Sequence, residues 1–94
     1  MARFLHIYIS PKQDVTREQV ETKLNLAIDW YRYARGMYVV YTSSSVDTWK
    51  ARLIDLVKPR GRMFICAFDI HQRQGWMNKG FWEWLKKERK KPTP

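Results

Sequence analysis

The sequence is short of several things, and each shortage narrows what the chain can be. It has one cysteine, Cys66, and two histidines, His6 and His71, in 94 residues. An intramolecular disulfide is therefore excluded, and so is a cysteine-based zinc cluster, which needs several thiolates at close spacing. No metal and no cofactor is expected. A lone thiol fits a reducing cytoplasm, where cysteines stay unpaired, and a cytoplasmic location is expected. Long apolar runs are missing as well. Nothing approaches the ~20 consecutive apolar residues of a membrane span, so no membrane partner is expected. The N-terminal run Phe4 to Ile9 is too short for the hydrophobic region of a signal peptide, and no leader is expected. There is no glycine-rich phosphate loop, no H-E-x-x-H, no G-x-S-x-G and no dinucleotide fingerprint.

Negative charge is scarce too. Nine acidic residues face 18 basic ones, for a net charge of +9. Residues 1–30 balance at four of each sign, whereas 31–70 carry seven basic against three acidic and 71–94 carry seven against two. The positive field belongs to the second half, which favours a polyanionic partner or serves solubility. The length makes one domain, and so small a chain needs a dense core, consistent with 45% hydrophobic residues and five tryptophans.

Residues 4–9 alternate, with Leu5, Ile7 and Ile9 on a core-facing side and Phe4, His6 and Tyr8 on the other, as a strand requires. Pro11 ends it. Thr16 and Gln19 form a T-x-x-Q capping box, with Val15 and Val20 at the staple positions. Val20, Leu24, Ala27, Ile28 and Tyr31 keep helical spacing, predicting a helix from Arg17 to about Tyr31. Trp30 to Ala34 and Met37 to Thr42 are aromatic and β-branched runs about Arg35-Gly36, which predicts a hairpin. Ser44 to Asp47 reads as a second cap, opening a helix with Trp49, Leu53, Leu56 and Val57 on one stripe. Pro59 and Gly61 stop it. Met63 to Ile70 is apolar at nearly every position, as a central strand covered on both faces would be. A loop from His71 to Lys79 leads to a last helix, Phe81 to Lys91.

The expected fold is therefore α+β: a ferredoxin-like βαββαβ sandwich with a four-stranded antiparallel sheet in order 4-1-3-2 and an extra C-terminal helix. Residues 1–91 form the domain and 92–94 a disordered tail.

The Tyr38-Val-Val-Tyr-Thr-Ser strand, the Trp49 helix and the Met63 to Asp69 strand, in this order over residues 1–70, resemble the small CRISPR-adaptation endonucleases and their ferredoxin-like relatives. The resemblance implies a dimer that handles nucleic acid. Active members of that family hold a metal through an aspartate ending the first strand. This chain has Tyr8-Ile9-Ser10-Pro11 there, so the resemblance does not carry nuclease activity over.

Four groups of residues are candidates for function. Phe4, His6 and Tyr8, joined by Tyr38 or Tyr41, would offer a base-stacking sheet face, unless a second subunit or the C-terminal helix buries it. Trp82 and Trp84, with Trp76, form either an anchor across the sheet or a contact hot spot. Arg32, Arg35, Arg60 and Arg62, with Lys86, Lys87, Arg89 and Lys90, suit phosphate contacts or a plain solvated face. Asp69 and His71, near Arg3 and the hydroxyls of Thr42, Ser43 and Ser44, are the only pair with a catalytic pattern, although Ser44 is already taken as a cap.

The expectation is a non-catalytic nucleic-acid-binding module, acting as a homodimer. One rival is a phage- or plasmid-encoded factor that contacts a host or defence protein through its tryptophans. Another is a metal-dependent ribonuclease or toxin of CRISPR-associated type.

Overall fold

The computed structural model describes residues 1–87 and 89. The elements are β1 (Arg3–Ser10), α1 (Arg17–Leu24), β2 (Asp29–Ala34), β3 (Met37–Thr42), α2 (Val46–Leu53) continued by a 3-10 turn (Ile54–Leu56), β4 (Arg62–Ala67) and α3 (Lys79–Lys86). The four strands form one antiparallel sheet in the order β2-β3-β1-β4.

Strand alternation separates the two faces. Leu5, Ile7 and Ile9 point to one side and are at most 2% exposed. Their register partners Val40 and Tyr38 on β3, and Ile65 and Met63 on β4, share that side. Helices α1 and α2 cover it with Val20, Leu24, Trp49 and Leu53, which close the core. Trp49 is fully buried, and its indole N–H donates to the Thr42 hydroxyl at 3.1 Å, so a large ring enters without an orphaned donor. The Arg52 guanidinium lies 4.7 Å from the Trp49 ring centre.

Helix α1 starts where the capping box places it. Thr16 accepts from the Gln19 N–H, and the Gln19 side chain accepts from the Thr16 N–H. It ends earlier than its spacing predicts, at Leu24 rather than near Tyr31. Ala27 and Ile28 lie in a turn, and the Ile28 N–H donates to Tyr41. From Asp29 the chain pairs with β3, so the backbone bonds that would extend the helix go to the sheet.

Three further expectations are corrected. The cap of α2 is Ser45, whose hydroxyl accepts from the Thr48 N–H, and not Ser44. Strand β4 runs from Arg62 to Ala67 and is an edge strand, not a central one: Met63 and Ile65 pack on the core, whereas Phe64 on the other face is 62% exposed. Helix α3 spans Lys79–Lys86, capped by Asn78, and the extended backbone of Lys87 ends it. Lys90 and the tail 92–94 lie outside the described residues.

The sheet face opposite α1 and α2 is half covered. Helix α3 lies on its β2 side, where Phe81 packs edge-on against Tyr31 and Tyr33, and Trp84 packs against Tyr31 and Phe4. The C-terminal helix thus covers its own sheet. It leaves the part of that face around Tyr8 and Phe64 without a ring packed on it among the described residues.

Candidate functional site

Three loops meet where β1 ends, and each is held there by a backbone contact. In the β2–β3 hairpin, Gly36 takes φ 72°, and its carbonyl accepts from the Ile9 N–H at 2.8 Å. A Cβ at Gly36 would fall 2.7 Å from the Ile9 oxygen, so the hairpin tip lies against β1 only because glycine is there. This fixes Arg35 beside the strand end. On the other side, Ser10 pairs with Arg62. Gly61 makes that approach possible, since a Cβ there would meet the Ser10 oxygen at 2.5 Å and the Val57 oxygen at 2.8 Å. The third loop joins β1 to α1: the Lys12 N–H donates to Leu56 at 2.9 Å, and the capping box sets Arg17 at the first turn of α1.

The result is a row of cations at one end of the sheet: Lys12, Arg17, Arg32, Arg35, Arg60 and Arg62. The first four line a cleft of about 620 Å³ together with Tyr8, Ser10, Glu18 and Tyr38. Arg17 pairs with Glu21 at 3.6 Å. Among the described residues, no carboxylate lies within ion-pair distance of the other five. Arg32, Arg35, Arg60 and Arg62 are all exposed. At the cleft floor the buried Tyr38 hydroxyl donates to Glu21 at 3.1 Å. Burial foremost, then the Glu21 charge and this bond, push that phenol up to about 12, so it keeps its proton and acts as a donor.

Lys86, Lys87 and Arg89 lie elsewhere. Arg89 folds back so that its guanidinium sits 4.3 Å from the Trp84 ring centre, 5.4 Å from Phe4 and 5.2 Å from Tyr41. Its side chain is only 6% exposed, and it bonds Asp29 at 3.2 Å and the Trp84 carbonyl at 2.6 Å. Lys87 pairs with Asp29 at 3.4 Å, while Lys86 is exposed. Burial alone would raise the Asp29 carboxyl. The nearby Trp84 indole N–H, the Trp30 N–H and the two cations outweigh it, and Asp29 stays below its ordinary 3.8. This cluster sits level with Phe4 near the start of β1, about 20 Å from Ser10 at the strand's other end at ~3.3 Å per residue.

The pair with a catalytic pattern is not assembled as a dyad. The Asp69 carboxylate accepts from the His71 backbone N–H at 2.9 Å, an Asx turn, and both residues are exposed. The nearby Thr42 hydroxyl accepts from Trp49 and from the Ser44 N–H.

On the open face, His6 Nε2 shares a hydrogen bond with the Tyr33 hydroxyl. Burial lowers the His6 pKa, while burial and then the Cys66 thiol raise that of Tyr33. A neutral imidazole that accepts a hydrogen bond from the protonated phenol satisfies both. Tyr41 lies on this face, over Phe4, whereas Tyr38 is in the core. Trp82 packs edge-on against Phe81, and Trp76 is 98% exposed.

Sequence reasoning missed Lys12, Arg17 and Phe64. Arg17 was within reach, because the capping box and a six-residue connection put the first turn of α1 beside the end of β1. Among the described residues no group of three or more His, Cys, Asp or Glu could hold a metal ion, and no helix is long and apolar enough to cross a membrane. Comparison with protein-family models, curated proteins and solved structures found no match.

Proposed function

We propose that the chain is a non-catalytic nucleic-acid-binding module on a ferredoxin-like βαββαβ scaffold with an added C-terminal helix. The β2-β3-β1-β4 order, read from its β4 edge as 4-1-3-2, supports that scaffold. One observation carries the function: six cations, from three connections and the elements that flank them, lie toward one end of the sheet, four of them lining one cleft and five with no carboxylate at ion-pair distance among the described residues. Unneutralised guanidinium groups on a rim, around an open cleft, suit repeated phosphates better than a single small anion. Affinity would come mostly from counterion release. Pairing of two copies through a sheet edge, a cytoplasmic location and kinship with the CRISPR-adaptation endonucleases belong to the same proposal.

The test is a titration of labelled single-stranded and duplex DNA and RNA at low and moderate salt. Saturable binding that weakens steeply with salt is expected. No saturable binding at low salt overturns the proposal.

A second reading, a factor that contacts a host protein, is favoured by Trp76. A fully exposed indole is unusual in a chain that finds packing partners for its other tryptophans. In that case Trp76→Ala would abolish the partner contact and leave nucleic-acid binding intact.

A further inference from the structure

The half of the open sheet face that α3 leaves bare borders the cationic row. Met37 on β3, Tyr8 on β1 and Phe64 on β4 stand side by side across three neighbouring strands, in register as Tyr8↔Met37 and Tyr8↔Phe64. Two strand spacings make that row about 10 Å wide. Phe64 is 62% exposed, which is uncommon for a phenylalanine on a sheet. Arg62 lies two residues before Phe64 on the same strand and therefore on the same face. In the middle of the row, the Tyr8 ring borders the cleft, and its edge lies 3.8 Å from where a Gly36 Cβ would stand.

Apolar rings set beside unneutralised arginines call for a ligand that is flat and apolar in one part and anionic in the next. A duplex keeps its base faces stacked and presents phosphates, sugars and groove edges, so it would give Phe64 and Tyr8 no base to stack on. A single strand offers both chemistries at each nucleotide, and sheet-borne aromatics flanked by cations are how such strands are held. We infer that the Tyr8–Phe64 pair is a base-stacking platform, that Arg62 and Arg35 take the adjoining phosphates, and that the ligand is a single-stranded nucleic acid. This rests on the nucleic-acid reading above and narrows it to unpaired bases. It also gives α3 a role: by covering the β2 half of the face it confines stacking to β1 and β4.

The experiment compares a labelled 12-nucleotide pyrimidine single strand, as DNA and as RNA, with a duplex of equal length by fluorescence anisotropy. The single strand should bind more tightly than the duplex. Phe64→Ala and Tyr8→Ala should each weaken single-strand binding by about 5- to 150-fold. Duplex binding should not change, nor should the slope of log K against log salt, because a ring neutralises no phosphate. Phe64→Tyr should restore affinity. Bound single strand should also slow alkylation of Cys66, the sole thiol, which lies one residue pair from Phe64 on the same face. Circular dichroism confirms that each variant is folded. If Phe64→Ala binds single strands as the parent does, while arginine substitutions still flatten the salt slope, the platform is refuted and the nucleic-acid reading stands. If the parent chain binds neither form, both fall.

Discussion

Neutralising two cations at the end of β1 should change the salt dependence of binding, whereas neutralising two on the C-terminal segment should not. The perturbation is Arg35→Gln with Arg62→Gln, set against Lys86→Gln with Lys87→Gln. Each phosphate neutralised on a single strand contributes a slope of about −0.7 in log K against log salt. If all six cations of the row engage, the slope is about −4, and affinity falls by about 300-fold between 50 and 200 mM salt. Removing Arg35 and Arg62 leaves four, a slope near −3, and a fall of about 50-fold over the same range. The Lys86/Lys87 variant should keep the parent slope, since Lys87 is tied to Asp29 at the far end of the sheet. Anisotropy titrations at four salt concentrations supply the slopes. Stability should move by no more than about 0.5 kcal/mol in the Arg35/Arg62 variant, because exposed charges contribute little to folding. A parent slope carried by Lys86 and Lys87, with the Arg35/Arg62 variant unchanged, would refute the assignment of the site to the end of β1.

Trp49→Ala should cost about 3–5 kcal/mol in denaturant unfolding, since it opens a cavity under both helices and removes the donor to Thr42; a loss under 1 kcal/mol would contradict its place in the core. Gly61→Ala should destabilise the chain and weaken binding together, because the added methyl pushes the Arg60–Arg62 turn off Ser10; unchanged melting and binding would mean the turn relaxes freely. Asp29 has its pKa depressed in the folded state, so the stability it supplies is present above 3.8 and is lost as the pH falls below that value. Asp29→Asn should remove this acid-dependent part and loosen α3, seen as a change in Trp84 fluorescence; an unaltered acid-unfolding profile would show that the Arg89 cluster contributes nothing.

Local signals in the sequence determine structure where the chemistry is itself local. The Thr16 capping box spans four residues, the hairpin needs one glycine at positive φ, and the alternation of β1 is complete within six positions. The errors fall where a local pattern has two solutions. Ala27, Ile28 and Tyr31 sit at helical spacing after Leu24, but an aromatic and β-branched run that can pair with β3 goes to the sheet. Two adjacent serines, each with a polar residue three positions on, leave the cap of α2 uncertain by one residue, and Ser45 wins over Ser44. A continuous apolar stretch such as Met63 to Ile70 reads alike for a central strand and for an edge strand with an exposed ring.

What no local pattern contains is the sorting of positive charge by topology. The basic residues of 31–70 and those of 79–89 look like one continuous field along the chain. Antiparallel pairing carries the β2–β3 hairpin and the α2–β4 turn to the end of β1, and Lys12 and Arg17 join them from a segment whose charges balance. Lys87 and Arg89 go the other way, because Asp29 opens β2 at the opposite end and captures them across about sixty residues. One carboxylate thus removes two cations from the free field and seats α3, whose Trp84 and Phe81 then cover Phe4, Tyr31 and Tyr33. The same anchoring keeps α3 off Tyr8 and Phe64. The bare part of the open face and the unneutralised arginines therefore lie at the same end of the sheet for one structural reason, and a ligand that uses one is positioned to use the other.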